Sequence, residues 1–200
     1  MSTPRGPARL HVDGEGAAGG LLVLGHGAGG GPDAPDLLVA AAAAREVGLA
    51  VVRVEQPWRL AGRRVAEAPQ HLDTAWVAVV EGLAWSGPLV LGGRSSGARV
   101  ACRTAGVLGA AAVLALAFPL VPPGRTTSRL AELQQPKVPR LVVQGSRDAF
   151  GIPLPQRGVR VEVIDGADHA FAVRRKDERA PDEVLAQVAR VVRKWLQTVT

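Results

Sequence analysis

The sequence predicts an α/β fold: a doubly wound, mostly parallel sheet with helices on both faces. Three observations carry this. Short apolar runs of strand length alternate with segments of helical spacing along the chain. The runs are apolar at consecutive positions, as strands covered on both faces are. Glycines and polar residues gather directly after the runs, at the end where such a sheet holds its sites.

The elements follow in order. ARLHV (8–12) supplies one leading strand. LLVLGHG (21–27) is a buried strand running into glycines, and PDLLVAAAAAREVG (35–48) is an alanine-rich helix ending at Gly48. LAVVRVEQP (49–57) is a strand stopped by proline. From Pro69 to Trp85, apolar residues Leu72, Trp76, Val79, Val80 and Leu83 fall on one helical stripe. LVLGG (89–93) is a strand, and SGARVACRTAGVLG (96–109) is a helix. AAVLALAFP (111–119) is a strand despite its alanines, because proline and alternation follow. RLVVQGS (140–146) and VRVEVIDG (159–166) are strands. Residues 180–199 form an amphipathic helix, with Pro181 at its start and Asp182-Glu183 in its first turn.

Composition bounds the function. Residues 1–200 are read as a single domain, with 1–19 partly disordered or forming an edge strand. Apolar residues are 47% and charged residues 21% of the chain, the balance of a soluble globular protein. No apolar run approaches the ~20 residues of a membrane span, and the first twenty residues lack a secretory core. A cytoplasmic protein without a membrane partner is therefore expected. The single Cys102 permits no internal disulfide, which agrees. The net charge of +6 comes from arginines scattered along the chain, with lysine only at 137, 176 and 194. Tyrosine is absent and phenylalanine occurs three times. A nucleic-acid surface concentrates its charge and interleaves aromatics, so no nucleic-acid partner is expected.

Gly93-Arg94-Ser95-Ser96-Gly97 is G-x-S-x-G placed between a strand and a helix. In that setting the serine occupies a sharp, strained turn, with its hydroxyl held at a helix N-terminus. An ordinary N-cap serine needs no glycine on both sides. Serine requires a base, and on this kind of sheet the acid and then the histidine follow it in the chain. His169 is the only histidine downstream of Ser95. It follows the strand at 159–166, and Asp148 follows the strand before that. The expected roles are Ser95 as nucleophile, His169 as base and then acid, and Asp148 as the group that orients the imidazole. Asp165 and Asp168 compete as acids but lie too near His169 in sequence to reach its far nitrogen.

His26-Gly27-Ala28-Gly29-Gly30 admits two readings. Gly25, Gly27 and Gly30 spell G-x-G-x-x-G, with Glu55 ending the next strand, which is a dinucleotide fingerprint. That fingerprint needs its helix to start inside the glycine loop, whereas Gly31-Pro32-Asp33-Ala34-Pro35 intervenes. The preferred reading is an oxyanion loop. The backbone N–H groups of Ala28 and Ser96 would bind the oxygen of a tetrahedral intermediate, and His26 would shape the loop by hydrogen bonds. Trp58 and Arg59, with Arg63 and Arg64, follow the second long strand and are candidates to line the mouth of the site. There they would select a polar or anionic acyl group; the alternative is a solvated basic loop around a packed tryptophan. Cys102 is read as a core residue. No His, Cys, Asp or Glu grouping has metal-ligand spacing, and no cofactor is expected.

LLVLGHGAGG, LVLGGRSSGARVA, LVVQGSRDAFG and GADHAF, in this order, resemble the signature regions of the alpha/beta-hydrolase superfamily. QPWRLAGRR and FPLVPPGR resemble a small capless subgroup near the dienelactone-hydrolase-like proteins. That subgroup includes subunit three of the animal non-specific-lethal histone acetyltransferase complex. The resemblance spans roughly residues 20–197. It implies a minimal hydrolase fold without a lid domain, with Ser95, Asp148 and His169 as the catalytic set. The function expected is a serine hydrolase cleaving a small carboxylic ester or thioester through an acyl-enzyme on Ser95. The alternative is a hydrolase-fold scaffold protein with little turnover.

Overall fold

The computed structural model describes all residues except 14–18, 64 and 178. Its strands are β1 Arg9–Asp13, β2 Leu21–Gly25, β3 Ala50–Glu55, β4 Leu89–Arg94, β5 Ala112–Leu116, β6 Arg140–Gly145 and β7 Val159–Ile164. Its helices are α1 Pro35–Glu46, α2 Pro57–Leu60, α3 Pro69–Gly82, α4 Ser96–Thr104, α5 Leu130–Gln134 and α6 Pro181–Leu196. Proline opens α1, α2, α3 and α6. There its fixed φ fits the helix and its missing N–H costs nothing.

The strands form one sheet in the order β1-β3-β2-β4-β5-β6-β7. Only β1 runs antiparallel, pairing with β3 from Arg9↔Glu55 to Asp13↔Val51. The leading strand of the sequence reading is thus an edge strand. The central strands β2, β5 and β6 are buried at every position. Helices α1 and α6 pack on one face against Leu22, Leu24, Val90, Leu114 and Leu141. Helices α3, α4 and α5 cover the other against Val23, Val52, Leu91, Val113 and Val142. This is the doubly wound, mostly parallel architecture with helices on both faces. No described helix is long and apolar enough to cross a membrane.

Two features of the arrangement place the site. From β2 the chain moves outward to β3 and then returns to add β4 on the other side of β2. The loops after β2 and β4 therefore diverge and leave a crevice at their carboxyl ends, where open α/β sheets bind ligands. The segment between β5 and β6 carries only the five-residue α5, so no lid covers that end. Charged side chains fix α5 instead. Arg99 of α4 grips Glu132 through two bonds of 2.7 and 2.6 Å. Arg103 reaches both Glu132 at 3.0 Å and Asp73 of α3 at 2.7 Å.

Candidate active site

The turn from β4 into α4 sets the centre of the site. Ser95 has φ 53° and ψ −111°, backbone that only strong local constraint imposes on a residue other than glycine. The constraint is close packing of the chain on itself. A Cβ on Gly93 would lie 2.4 Å from the Gly25 carbonyl oxygen, and one on Gly97 would lie 2.2 Å from it. Only glycines permit this approach of β2 to the corner. Ser95 stands at the N-cap of α4, yet its side chain makes no capping hydrogen bond. Its hydroxyl lies 3.0 Å from His169 Nε2 instead. That separates it from an N-cap serine, whose oxygen accepts from the helix amides.

His169 follows β7 and Asp148 follows β6. The imidazole Nδ1 lies 2.8 Å from Asp148 Oδ2. Asp148 is buried, so this N–H···O⁻ bond forms away from bulk water. Ser95, His169 and Asp148 therefore form one hydrogen-bonded chain across three strand ends. The acid also receives the backbone N–H of Phe150 at 2.8 Å and Gln144 Nε2 at 2.7 Å. Gln144 Nε2 also faces the Phe118 and Gly151 carbonyls at 3.1 and 3.0 Å. All three neighbours are acceptors, which fixes the amide with its NH₂ toward the carboxylate. The Phe150 ring lies against the imidazole, centroids 4.3 Å apart.

The histidine loop is held from below. Arg94 Nη2 donates to the His169 carbonyl at 3.2 Å, and Arg94 Nε pairs with buried Asp36 at 3.1 Å. Burial pushes the Asp36 carboxyl up, and Arg94 opposes that shift. Asp168 Oδ1 accepts the N–H groups of Ala170 and Ala172, closing the turn that presents His169. Asp165 instead accepts the Ser146 hydroxyl at 3.2 Å. Neither competing acid reaches the imidazole through these bonds.

The loop after β2 completes the crevice. His26 is buried, its Nδ1–H donating to the Gly27 carbonyl at 2.8 Å and its Nε2 accepting the Gln56 N–H at 3.2 Å. Burial holds its pKa below the usual value, partly offset by the Gly27 bond. The Ser96 hydroxyl faces the His26 carbonyl at 3.4 Å and ties this loop to the serine corner. Helix α1 begins only at Pro35, beyond the Gly25–Gly30 loop, and so does not start inside it as a dinucleotide fingerprint requires. Glu55 is taken up by Arg9 at 3.4 Å.

A profile of the family described as alpha/beta hydrolase domain matches residues 18–197. The chain belongs to the alpha/beta hydrolase family. No curated protein matches it. Its fold is similar to an alpha-beta serine hydrolase homologue from Coxiella burnetii, with a TM-score of 0.76 at 22% identity, covering 98% of this chain and 95% of that one. It is also similar to a serine hydrolase without a lid from Xanthomonas campestris, with a TM-score of 0.71 at 22% identity, covering 98% and 92%. A dienelactone hydrolase from Anabaena variabilis gives a TM-score of 0.74 at 18% identity, covering 99% and 94%.

In this alpha/beta hydrolase a cavity of about 250 Å³ opens on Ser95. Ala28 and Ser96, the two residues expected to offer backbone N–H groups, both border it. Ser96 is the first residue of α4, where helix N–H groups have no intrahelical partner. Trp58 and Arg59 lie elsewhere. Trp58 is buried in the core, its ring 5.4 Å from that of His26, where it supports the loop from behind. Arg59 borders a separate cavity with Gly30, Gly31, Asp33 and Arg94. Both are carried by a single turn of helix, α2, and neither borders the cavity that opens on Ser95. Arg63 pairs with Glu67 at 2.6 Å, and Arg64 lies outside the described residues. Cys102 is buried, its thiol pushed up to about 12 by burial.

Proposed function

We propose that this alpha/beta hydrolase cleaves a small carboxylic ester or thioester through an acyl-enzyme on Ser95. The observation that carries the reading is the unbroken chain from Ser95 Oγ to His169 Nε2 and from Nδ1 to Asp148, at 3.0 and 2.8 Å. The chemistry follows from these atoms. Ser95 Oγ attacks the carbonyl carbon as His169 Nε2 takes its proton. The carbonyl oxygen becomes negative and is held by the N–H groups of Ala28 and Ser96. The tetrahedral species collapses, and the alcohol or thiol leaves with the proton from His169. A water molecule then attacks the acyl-enzyme, with His169 again as base. Collapse releases the carboxylic acid and returns a proton to Ser95. Asp148 stays ionised, orienting the imidazole and stabilising its cation. The sequence closes in atoms and charge without a cofactor.

The size of the cavity supports a small substrate, since about 250 Å³ lies below the ~300–1,000 Å³ of sites for drug-sized ligands. Buried Cys102 makes no demand for an oxidising compartment, and we place the activity in the cytoplasm. Within the family we place the chain in the capless dienelactone-hydrolase-like subgroup. Turnover of short-chain p-nitrophenyl esters tests the reading. Ser95→Ala and His169→Gln should each lower kcat by several orders of magnitude. Full activity in Ser95→Ala would overturn it.

A further inference from the structure

The cavity beside Ser95 is bordered by Arg99, Arg103, Arg129 and Glu67. Three of these charges are committed. Arg99 is bonded twice to Glu132, and Arg103 joins Asp73 and Glu132. Glu67 takes Arg5 at 3.3 Å and Arg63 at 2.6 Å. Arg129 forms no ion pair with any described residue. One of its guanidinium nitrogens donates to the Pro119 carbonyl at 3.2 Å, the one side-chain hydrogen bond it makes among the described residues, and the residue borders both this cavity and the neighbouring one beside α5. Its backbone is pinned, with its N–H on the Leu120 carbonyl at 2.8 Å, at the start of the α5 turn that Arg99 and Arg103 hold. Around the cavity four guanidiniums share three carboxylates and Arg129 stands outside these pairs, so the wall carries a positive surplus. Burial holds Arg129 below the usual arginine value, and the like charges of Arg99 and Arg103 add to this while Glu132 opposes it. A carboxylate bound at the guanidinium would offset the repulsion from the two arginines.

We propose that Arg129 determines specificity by binding a carboxylate at the far end of the substrate's acyl group. This rests on the ester-cleaving reading above and names its substrate class: half-esters or half-thioesters of short dicarboxylic acids. The acyl half is indicated because His169 does not border this cavity. The leaving group must reach the proton on His169, so the cavity on the other side of Ser95 is left for the acyl chain. A guanidinium fork suits a carboxylate, which it can bind through two parallel bonds.

The test compares p-nitrophenyl monoesters of glutaric and adipic acids with neutral esters in which an isopropyl group replaces the carboxylate. The expected kcat/KM favours at least one anionic ester by about tenfold or more, the scale of a charged hydrogen bond. The preference should shrink as salt is raised. Arg129→Gln should bring the ratio of anionic to neutral kcat/KM close to one, and Arg129→Lys should restore part of it. Equal kcat/KM for the charged and neutral members of both pairs would overturn the proposal, as would a preference that survives in Arg129→Gln. Calorimetric titration of Ser95→Ala with the monoesters separates this from failure of catalysis. Selective, Arg129-dependent binding without turnover in the parent would keep the carboxylate site and reject the ester-cleaving reading. No selective binding, with neutral esters still hydrolysed, would reject the carboxylate site alone.

Discussion

Arg94 pairs through Nε with the buried carboxylate of Asp36, 3.1 Å away, while its Nη2 holds the carbonyl of His169. The residue next to the serine in sequence thus joins the helix after β2 to the loop of the histidine. Asp36 is raised by burial and lowered by Arg94, so the pair is one unit in energy terms. Arg94→Met would leave an uncompensated buried carboxylate, at a cost of about 3–5 kcal/mol. The pH dependence has a definite sign. A carboxyl whose folded pKa lies above its unfolded value of 3.8 favours the folded state at low pH and loses that contribution as pH rises. Arg94→Met should therefore be most destabilised at neutral pH, and the deficit should narrow toward pH ~4. Urea unfolding of parent and variant across that range reads both effects.

Gln144 is the second support that bridges loops. It is fully buried and presents its NH₂ group to Asp148, Phe118 and Gly151. Gln144→Met keeps the volume but leaves those acceptors with one partner fewer. Without that hold on the carboxylate, the imidazole loses its fixed orientation. The expected loss in kcat is about tenfold to a hundredfold, the scale of a misplacement near 1 Å. KM should change little, which steady-state kinetics on one ester will check.

The glycines of the serine corner give a sharp contrast. Gly97→Ala places a methyl 2.2 Å from one backbone oxygen and 2.5 Å from its carbon. No flexible side chain can yield there, so the strand and helix must separate. Gly106→Ala, just past α4, meets nothing within 4 Å. Thermal melts should show Gly97→Ala failing to fold or melting far below the parent, and Gly106→Ala within a few degrees of it.

His26 makes the loop acid-sensitive. Its folded pKa lies below 6.5, so the folded state carries fewer protons than the unfolded chain as pH falls through that value. Stability is then full above ~6.5 and declines below it until the folded pKa is reached. Protonation would place a second N–H against the Gln56 amide and open the loop that carries Ala28. His26→Gln should be less stable at pH ~7.5 and lose less on acidification through ~6. Paired denaturation curves at the two pH values measure the difference.

The strands were legible because a sheet covered on both faces writes itself as continuous apolar runs, and β2, β5 and β6 read that way. Proline starts marked α1, α3 and α6. The two short helices were missed: α2 reads as the loop after a strand, and α5 has no periodicity of its own, being held by Arg99 and Arg103 from another helix. That Ser95, Asp148 and His169 meet was legible from chain order, because each follows a strand of the same sheet. Arg94–Asp36, Gln144–Asp148 and Arg129 were not. Their roles depend on contacts between loops distant in sequence, which no local pattern records. Trp58 shows the same limit, since only the facing of the α2 turn decides between the cavity and the core.

Intact-mass analysis after exposure to a fluorophosphonate probe tests the activated serine most directly. Ser95 Oγ would attack phosphorus and expel fluoride, with His169 taking the proton. The parent should gain the mass of one probe minus hydrogen fluoride, and Ser95→Ala should gain nothing. A parent that stays unmodified where a known serine hydrolase labels fully would contradict the account, as would equal labelling of both proteins.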